Sequence, residues 1–305
     1  MAKTKDPGLG SKYENEVKRM INEDGSYNII RYGSFSGVRD FYKFLIDISW
    51  KHFFLYSLLG YLFINAIFAS IYLGVGLNQI SGLKPETANF FDAYFFSAQT
   101  LTSVGYGQMA PIGLGSNIVA TLESFVGLIS IALITGLLYG RFSKPSSKLK
   151  FSKNILISPF ENGTAVMFKM VNQRNSILLN TDVKTLLIMD QGTEKGQFNK
   201  TYHNLELQIN HVDFFPLTWT IVHKIDEKSP FHGMDLQEIK SRNAEVITLV
   251  EAFDETHSQM VTERKSFGCD QWLDGVKFSK NFKTNTSGKI ELYIDDLDTL
   301  IKVEE

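Results

Sequence analysis

Gly105 and Gly107 flank Tyr106, the hydroxyls of Thr102 and Ser103 precede them, and Pro111 follows, all within residues 93–122, where no side chain is charged. Residues of these types can hold a dehydrated cation. A ring of backbone carbonyls replaces the water of an ion in a bilayer when several copies of an extended segment surround one axis. Successive carbonyls can point at that axis only if alternate residues reach backbone angles that a side chain resists and glycine adopts cheaply. Gly105 and Gly107 meet that need. Val104 and Tyr106 would then point away from the axis, toward Phe91, Tyr94 and Phe95, and Ser103 would add a hydroxyl ring at the inner end. A helix ending near residues 98–101 would bring the negative end of its dipole to the same place and favour a cation there. One chain supplies one strand of such a ring, so closure needs an oligomer. A Gly-Tyr-Gly tripeptide alone is also an ordinary turn, and its surroundings must decide.

Those surroundings are apolar. Residues 53–83, 93–122 and 124–140 carry no charge, whereas charges recur every few positions from about residue 141 onward. Residues 53–75 form an uncharged run of 23 residues, enough to cross a hydrocarbon core of about 30 Å. Trp50 and Tyr72 lie near the two ends of this first span, where amphipathic rings favour the headgroup level, and Asn65 is expected to face protein. Residues 89–102 are aromatic and helical in pattern but too short to span. The glycine-containing loop follows, and then a second full-length run. A short helix, an irregular loop and a long helix in one apolar block predict a re-entrant segment. Irregular backbone at membrane depth is tolerated only where it is buried in protein or lines a watery path. Before the first span, Phe41, Phe44, Leu45 and Ile48 recur at helical spacing among Arg39, Asp40, Lys43 and Asp47, which predicts an amphipathic helix in the membrane interface.

The domain plan is a polar N-terminal segment over residues 1–37, mobile at its start, and an interfacial helix over 38–48. A pore domain follows over 49–142, with span 1 at about 50–75, a pore helix at about 89–101, the candidate filter at 103–107 and span 2 at about 115–141. A linker covers 143–150. Residues 151–305 alternate short β-branched and aromatic runs with turns and predict an antiparallel β-sandwich of about seven to ten strands. One of these runs is residues 205–215, read as a single strand. No G-x-G-x-x-G follows the second span, which argues against a Rossmann-type sensor. Basic residues Arg141, Lys144, Lys148, Lys150 and Lys153 follow span 2, and Arg31, Arg39, Lys43 and Lys51 precede span 1, against Lys84 alone between the spans. The positive-inside rule then puts both termini in the cytoplasm of a multi-pass protein of the cell membrane. A hydrophilic stretch of about 40 residues ahead of the first apolar run is unlike a cleaved leader.

Several classes are disfavoured. The net charge of −2 gives no support for nucleic-acid binding, and a single cysteine, Cys269, excludes an internal disulfide or a multi-cysteine metal site. No nucleophile–base pair, phosphate loop or H-x-x-x-H pair is evident, so no enzymatic activity and no organic cofactor are expected. Glu123 is the one acid inside a span. A charge exposed at the midplane is costly, so it is expected to face protein. Gly127, Ile131, Thr135 and Tyr139 are four apart and share a drifting face of the second span, which becomes a cavity wall if that helix lines a pore. Gly136 is a candidate bending point, although glycine in a membrane helix also serves close packing.

Ser-Val-Gly-Tyr-Gly at 103–107 resembles the filter of potassium channels. Residues 40–50 (DFYKFLIDISW), 120–127 (ATLESFVG), 139–145 (YGRFSKP) and 216–230 (PLTWTIVHKIDEKSP) resemble the prokaryotic branch of the inward-rectifier potassium channels, over roughly residues 24–290. The last segment matches the family signature at Pro216, Leu217, Thr218, His223, Ile225, Asp226, Ser229 and Pro230. The resemblance implies a homotetramer with two spans per subunit and a cytoplasmic immunoglobulin-like all-β sandwich. It implies K+ ions held along Thr102, Ser103, Val104, Gly105, Tyr106 and Gly107, with the ion sites at Ser103 to Tyr106. It gives Ile131 and Thr135 the cavity, Tyr139 a bulky cytoplasmic constriction and Glu123 a place bracing the pore loop. Trp50, Lys51, Arg141, Lys144 and Lys148 would meet anionic phospholipids, and Arg174 would relay coupling near the subunit interface. Departures are Ser103, where the family usually has threonine, and Gln99 and Met109, where animal members carry an acid–arginine brace. Ile131 stands where strongly rectifying members carry an acid, against strong polyamine block. Two alternatives are a two-span potassium channel gated by a small cytoplasmic ligand, and a non-conducting membrane sensor.

Overall fold

The computed structural model describes residues 6–17, 19–33, 38–84, 86–143, 148–194 and 197–303. The chain folds as two units, residues 33–144, and residues 1–32 together with 145–305. The first described strand, β1 (Lys12–Tyr13), belongs to the second unit.

Among its described residues the first unit holds four α-helices. The short α1 (Val38–Asp47) precedes α2 (Trp50–Val75), whose N-terminus is capped by Ser49. A two-residue strand β2 (Ile80–Ser81) leads to α3 (Phe90–Leu101). Here Asn89 accepts from the N–H of Phe91 while Asp92 accepts from the N–H of Asn89, at 2.8 and 2.9 Å. This reciprocal cap satisfies two donors and sets an acid at the positive end of the helix. After the filter segment, β3 (Ala110–Pro111) pairs with β2, and α4 (Leu114–Phe142) completes the unit. At 1.5 Å per residue, α3 is about 18 Å long and α4 about 44 Å, so α4 can cross a bilayer and α3 cannot. Only α2 and α4 among the described helices are long and apolar enough to cross, and most of their apolar surface is uncovered in one copy.

Four contacts fix the turn around residues 103–107. The Gln79 carbonyl accepts from Ile112 N–H and Ser116 Oγ, both at 2.8 Å, and the Gln79 side chain accepts from Ser116 N–H. A β-carbon on Gly82 (φ 81°) would lie 1.9 Å from the Gln108 carbonyl oxygen, so only glycine allows that approach.

The second unit is a sandwich. Its strands are β4 (Leu149–Phe151), β5 (Ile155–Phe160), β6 (Gly163–Asn172), β7 (Leu178–Glu194), β8 (Gln197–Leu205), β9 (His211–Phe215), β10 (Thr218–Lys224), β11 (Glu245–Asp254), β12 (Gln259–Phe267) and β13 (Trp272–Asp274). A short α5 (Leu236–Ser241) precedes β11. One sheet runs β1-β8-β7-β11-β12 with β9 also on β7, and the other runs β10-β6-β5-β13 with β4 on β6. Between them lie Phe168, Leu187, Phe231, Val246, Phe267 and Trp272, all nearly inaccessible. Trp272 satisfies its indole N–H on the Ala244 carbonyl at 3.2 Å.

The all-β sandwich is as expected, with two differences. The β13–β5 pairing is parallel rather than antiparallel. Residues 205–215 are not one strand, because the Glu206 carbonyl turns aside to accept from His223 Nδ1 at 2.7 Å. The N-terminal segment is tied to this unit at residues 19–21. Buried Glu245 accepts the backbone N–H groups of Met20 and Ile21 at 2.8 and 3.1 Å. Arg19 donates to Ser266 Oγ and to the Ser266 carbonyl.

Candidate ion-conduction site

The segment after α3 leaves the helix through a short set of backbone bonds. Thr102 Oγ1 donates to the Ala98 carbonyl at 2.7 Å, Ser103 N–H to Thr100 O at 3.1 Å, and Val104 N–H to Gln99 O at 3.0 Å. From there the backbone alternates. Ser103, Gly105 and Gly107 have φ of 54°, 50° and 82°, while Thr102, Val104, Tyr106 and Gln108 do not enter the positive region. Two of these positions are glycine, so the cost of a positive φ falls on Ser103, whose β-carbon is unbranched. Thr102 through Gln108 are all exposed within one copy, Val104 at 53% and Tyr106 at 79%.

Behind this segment lies a buried polar network. Tyr72 donates to Glu123 Oε2 at 2.7 Å, Ser97 Oγ contacts Glu123 Oε1, and Ser97 Oγ lies 3.0 Å from Asn65 Oδ1. Asn65 Nδ2 donates to the Tyr61 carbonyl at 2.7 Å. Asn65, Ser97 and Glu123 are completely inaccessible and Tyr72 nearly so. The network ties α3 to α2 and α4. Glu123 and Asn65 thus face protein, as a buried polar group must. Tyr72 corrects the reading of it as a headgroup-level ring, because its phenol is turned inward to the acid.

The face assigned to the cavity also needs correction. On α4, Ser116, Ala120, Glu123 and Gly127 form the buried stripe. Gly127 lies against the carbonyl of Leu101, not on an open face. Ile131 (52% exposed), Thr135 and Tyr139 (74%) do lie on an uncovered surface of α4, with Gly136 beside them and nothing within 4 Å of the β-carbon it lacks.

At the far end of α4, Arg141 is spent on protein. It donates to the carbonyls of Leu45, Ile46 and Ile48 at 2.6–2.9 Å, which are the terminal acceptors of α1. Its guanidinium carbon sits 4.5 Å from the Trp50 ring centroid and 4.7 Å from that of Phe53. Gly140, one residue earlier, leaves room for the Tyr42 hydroxyl. Trp50 and Arg141 therefore meet. Lys51 is exposed on α2, Lys148 is exposed in the other unit, and Lys144 lies outside the described residues. Arg174 is half-buried with its guanidinium 3.4 Å from Asp254, which His257 also contacts at 3.0 Å. Burial pushes the Asp254 carboxyl up, but hydrogen bonds from His257 and from the N–H groups of Thr256 and His257 outweigh it and hold the group below the usual carboxylate range.

Ser97 and Gln79 escaped the reading of the sequence, and Tyr72 entered it only as a headgroup-level ring. Their signal was only a hydrogen-bonding side chain in an uncharged stretch, the same signal that marked Asn65.

Two family models match the chain, one described as an ion channel over residues 53–144 and one as the inward rectifier potassium channel C-terminal domain over residues 149–305. The chain is 33% identical over 282 residues to the inward rectifier potassium channel Kirbac3.1 of Paramagnetospirillum magnetotacticum, covering 92% of this chain and 95% of that protein. The chain belongs to the inward-rectifier potassium channel family. It is also 25% identical over 304 residues to the G protein-activated inward rectifier potassium channel 1 of Bos taurus, and 26% identical over 262 residues to channel 4 of Mus musculus. It spans only 60% and 62% of those animal relatives. As a member of this family with two apolar helices it is a membrane protein of an ion-channel family, not of an enzyme family. In this member of the family the Gln99 carbonyl receives the N–H groups of Val104 and Gly105, and the buried acid that meets α3 at Ser97 stands on α4, at Glu123.

Proposed function

We propose that four copies of the chain surround one axis and conduct K+ passively through stacked carbonyl rings of residues 102–107, with ion sites at Ser103, Val104, Gly105 and Tyr106. The observation that carries this reading is the alternation of positive φ at 103, 105 and 107, which is what a strand needs to turn successive carbonyls one way. The exposure of that strand in a single copy supports an oligomer, since irregular backbone at membrane depth must be covered by protein or water.

Within this reading Ile131 and Thr135 line the inner cavity and Tyr139 forms the cytoplasmic constriction, where four rings close the path by dewetting. Gly136 is free of neighbours and suits a bend. Basic residues outside the spans orient both termini to the cytoplasm. Anionic lipid acts at Lys51, Lys144 and Lys148, each basic group near a negative leaflet contributing about 1 kcal/mol, while Arg141, lying over Trp50, clasps α1 to α4 and carries the lipid effect between them. Arg174, held by Asp254, relays that effect within the β-sandwich.

Rubidium uptake into liposomes driven by a potassium gradient and blocked by barium tests the proposal. Uptake that varies across a series of anionic lipids supports the lipid assignment. Absence of uptake at every lipid composition would leave a non-conducting membrane sensor as the better reading. A small molecule bound stoichiometrically to the β-sandwich, and required for uptake, would favour a ligand-gated pore.

A further inference from the structure

The network behind the filter has a proton count that one carboxylate cannot satisfy. Asn65 Nδ2 donates to the Tyr61 carbonyl at 2.7 Å, which fixes the amide with its oxygen toward Ser97. Ser97 Oγ lies 3.0 Å from that oxygen and also contacts Glu123 Oε1. A serine hydroxyl has one proton to donate. If Glu123 were ionised, Ser97 would face two acceptors with a single proton, and one close oxygen–oxygen contact would have none. Tyr72 cannot supply it, because its own proton goes to Glu123 Oε2.

We infer that Glu123 is a neutral carboxylic acid in the folded channel and donates its proton from Oε1 to Ser97 Oγ. Ser97 then donates to Asn65 Oδ1, and Tyr72 donates to Glu123 Oε2. Each close contact in the row then holds one proton, from Tyr72 through Glu123, Ser97 and Asn65 to the Tyr61 carbonyl. The surroundings agree. These four side chains are closed to solvent, and a buried charge without a partner is costly. Residues 53–83, 93–122 and 124–140 contain no cation that could pair with a carboxylate. Tyr72 is the other titratable group in contact with Glu123, and it donates a proton without providing a positive charge.

This deepens the proposed function in one respect: Glu123 is a positioning residue. It holds α3 between α2 and α4 by hydrogen bonds and adds no charge behind the ion path. A glutamine can copy the arrangement, with Nε2 donating to Ser97 and Oε1 accepting from Tyr72. An aliphatic side chain cannot.

Difference infrared spectroscopy on the full-length protein in lipid at neutral pH tests the inference without reference to conduction. The expected result is a protonated-carboxyl stretch that is present in the wild type and lost in Glu123→Gln, with rubidium flux retained in that variant and lost in Glu123→Ala. If Glu123→Gln does not assemble, the same band is followed in Ser97→Ala, where the acid loses its acceptor and its stretch must move. A wild type in which the 123 side chain contributes only carboxylate bands overturns the inference, whatever the flux. A protonated band in a protein that carries no flux would keep the inference and sink the conduction reading instead.

Discussion

Helix α4 passes so close to the end of α3 that a β-carbon on Gly127 would lie 1.9 Å from the carbonyl oxygen of Leu101. The obstacle is backbone, so no rotamer can relieve it. Leu101 is the last residue of α3, two positions before Ser103, where the run of alternating positive φ begins. Gly127→Ala must therefore push the pore helix, the second span or both out of place. We expect it to cost about 3 kcal/mol, the upper end of overpacking, and to lower the melting temperature of the detergent-solubilised oligomer. Gly136→Ala is the control, since nothing lies within 4 Å of its missing β-carbon. It should be neutral or stabilise by about 0.4–1 kcal/mol. Equal melting of both variants with wild type would show that the close approach carries no strain.

The contrast between these two glycines also shows where the sequence was readable and where it was not. Hydropathy marked both spans, and the glycine spacing marked the positive φ at Gly105 and Gly107, because each is a local property of consecutive residues. The four-residue spacing from Gly127 to Tyr139 was misleading in one place. Each step of four advances an α-helix by about 400°, a net drift of about 40°, so three steps carry Tyr139 about 120° away from Gly127. That drift takes Gly127 onto the buried stripe and leaves Ile131, Thr135 and Tyr139 uncovered. Tyr72 was misread for a different reason. Its partner Glu123 is 51 positions away, and a tyrosine near a span end looks the same whether its hydroxyl meets water or an acid. Glu245 held the N-terminal segment through backbone N–H groups, which no side-chain pattern can announce.

Ser103 adopts φ 54°, a region that a β-branched residue resists. Ser103→Thr adds the methyl that restricts χ1. The hydroxyl, which in the proposed pore faces the innermost ion site, becomes more ordered while the backbone is more strained. We expect selectivity for K+ over Na+ to survive and barium block to tighten by about two- to fivefold, the effect of roughly 0.5–1 kcal/mol of side-chain ordering. Unchanged barium block and ion occupancy would refute the assignment.

Two histidines in the β-sandwich make stability depend on pH in opposite senses. His223 is buried, donates from Nδ1 to the Glu206 carbonyl and accepts from Ser229 at Nε2. Burial pushes its pKa down from 6.5, against the opposing pull of Glu206 and Asp226. As pH falls through 6.5 the unfolded chain takes a proton that the folded ring refuses, so stability falls on the acid side. His211 is exposed between Asp182 and Asp213, whose hydrogen bonds raise its pKa. Its contribution is complete below 6.5 and is lost as pH rises through the raised value. The two windows meet at 6.5. Asp182→Asn should bring the NMR titration of His211 down toward 6.5 and flatten the stability curve above that pH, while leaving the acid-side fall. A His211 titration already at 6.5 in the wild type would refute the pairing.

Arg141 separates two readings of the basic cluster. If it works as a charge near anionic headgroups, Arg141→Lys should behave as wild type. The geometry argues otherwise. Three carbonyls at the end of α1 accept from two guanidinium nitrogens, and the planar group lies close to Trp50 and Phe53. A lysine ammonium cannot reproduce that fork or stack in the same way. Hydrogen bonds to a charged donor contribute about 1.5–3 kcal/mol each when one partner is removed. Arg141 lies two positions beyond Tyr139, so the clasp joins α1 to the helix end that carries the proposed constriction. We expect Arg141→Lys and Arg141→Ala to change rubidium flux alike and to lose its dependence on anionic lipid alike. Retention of wild-type lipid dependence by Arg141→Lys, with loss only in Arg141→Ala, would return Arg141 to the role of a simple headgroup ligand.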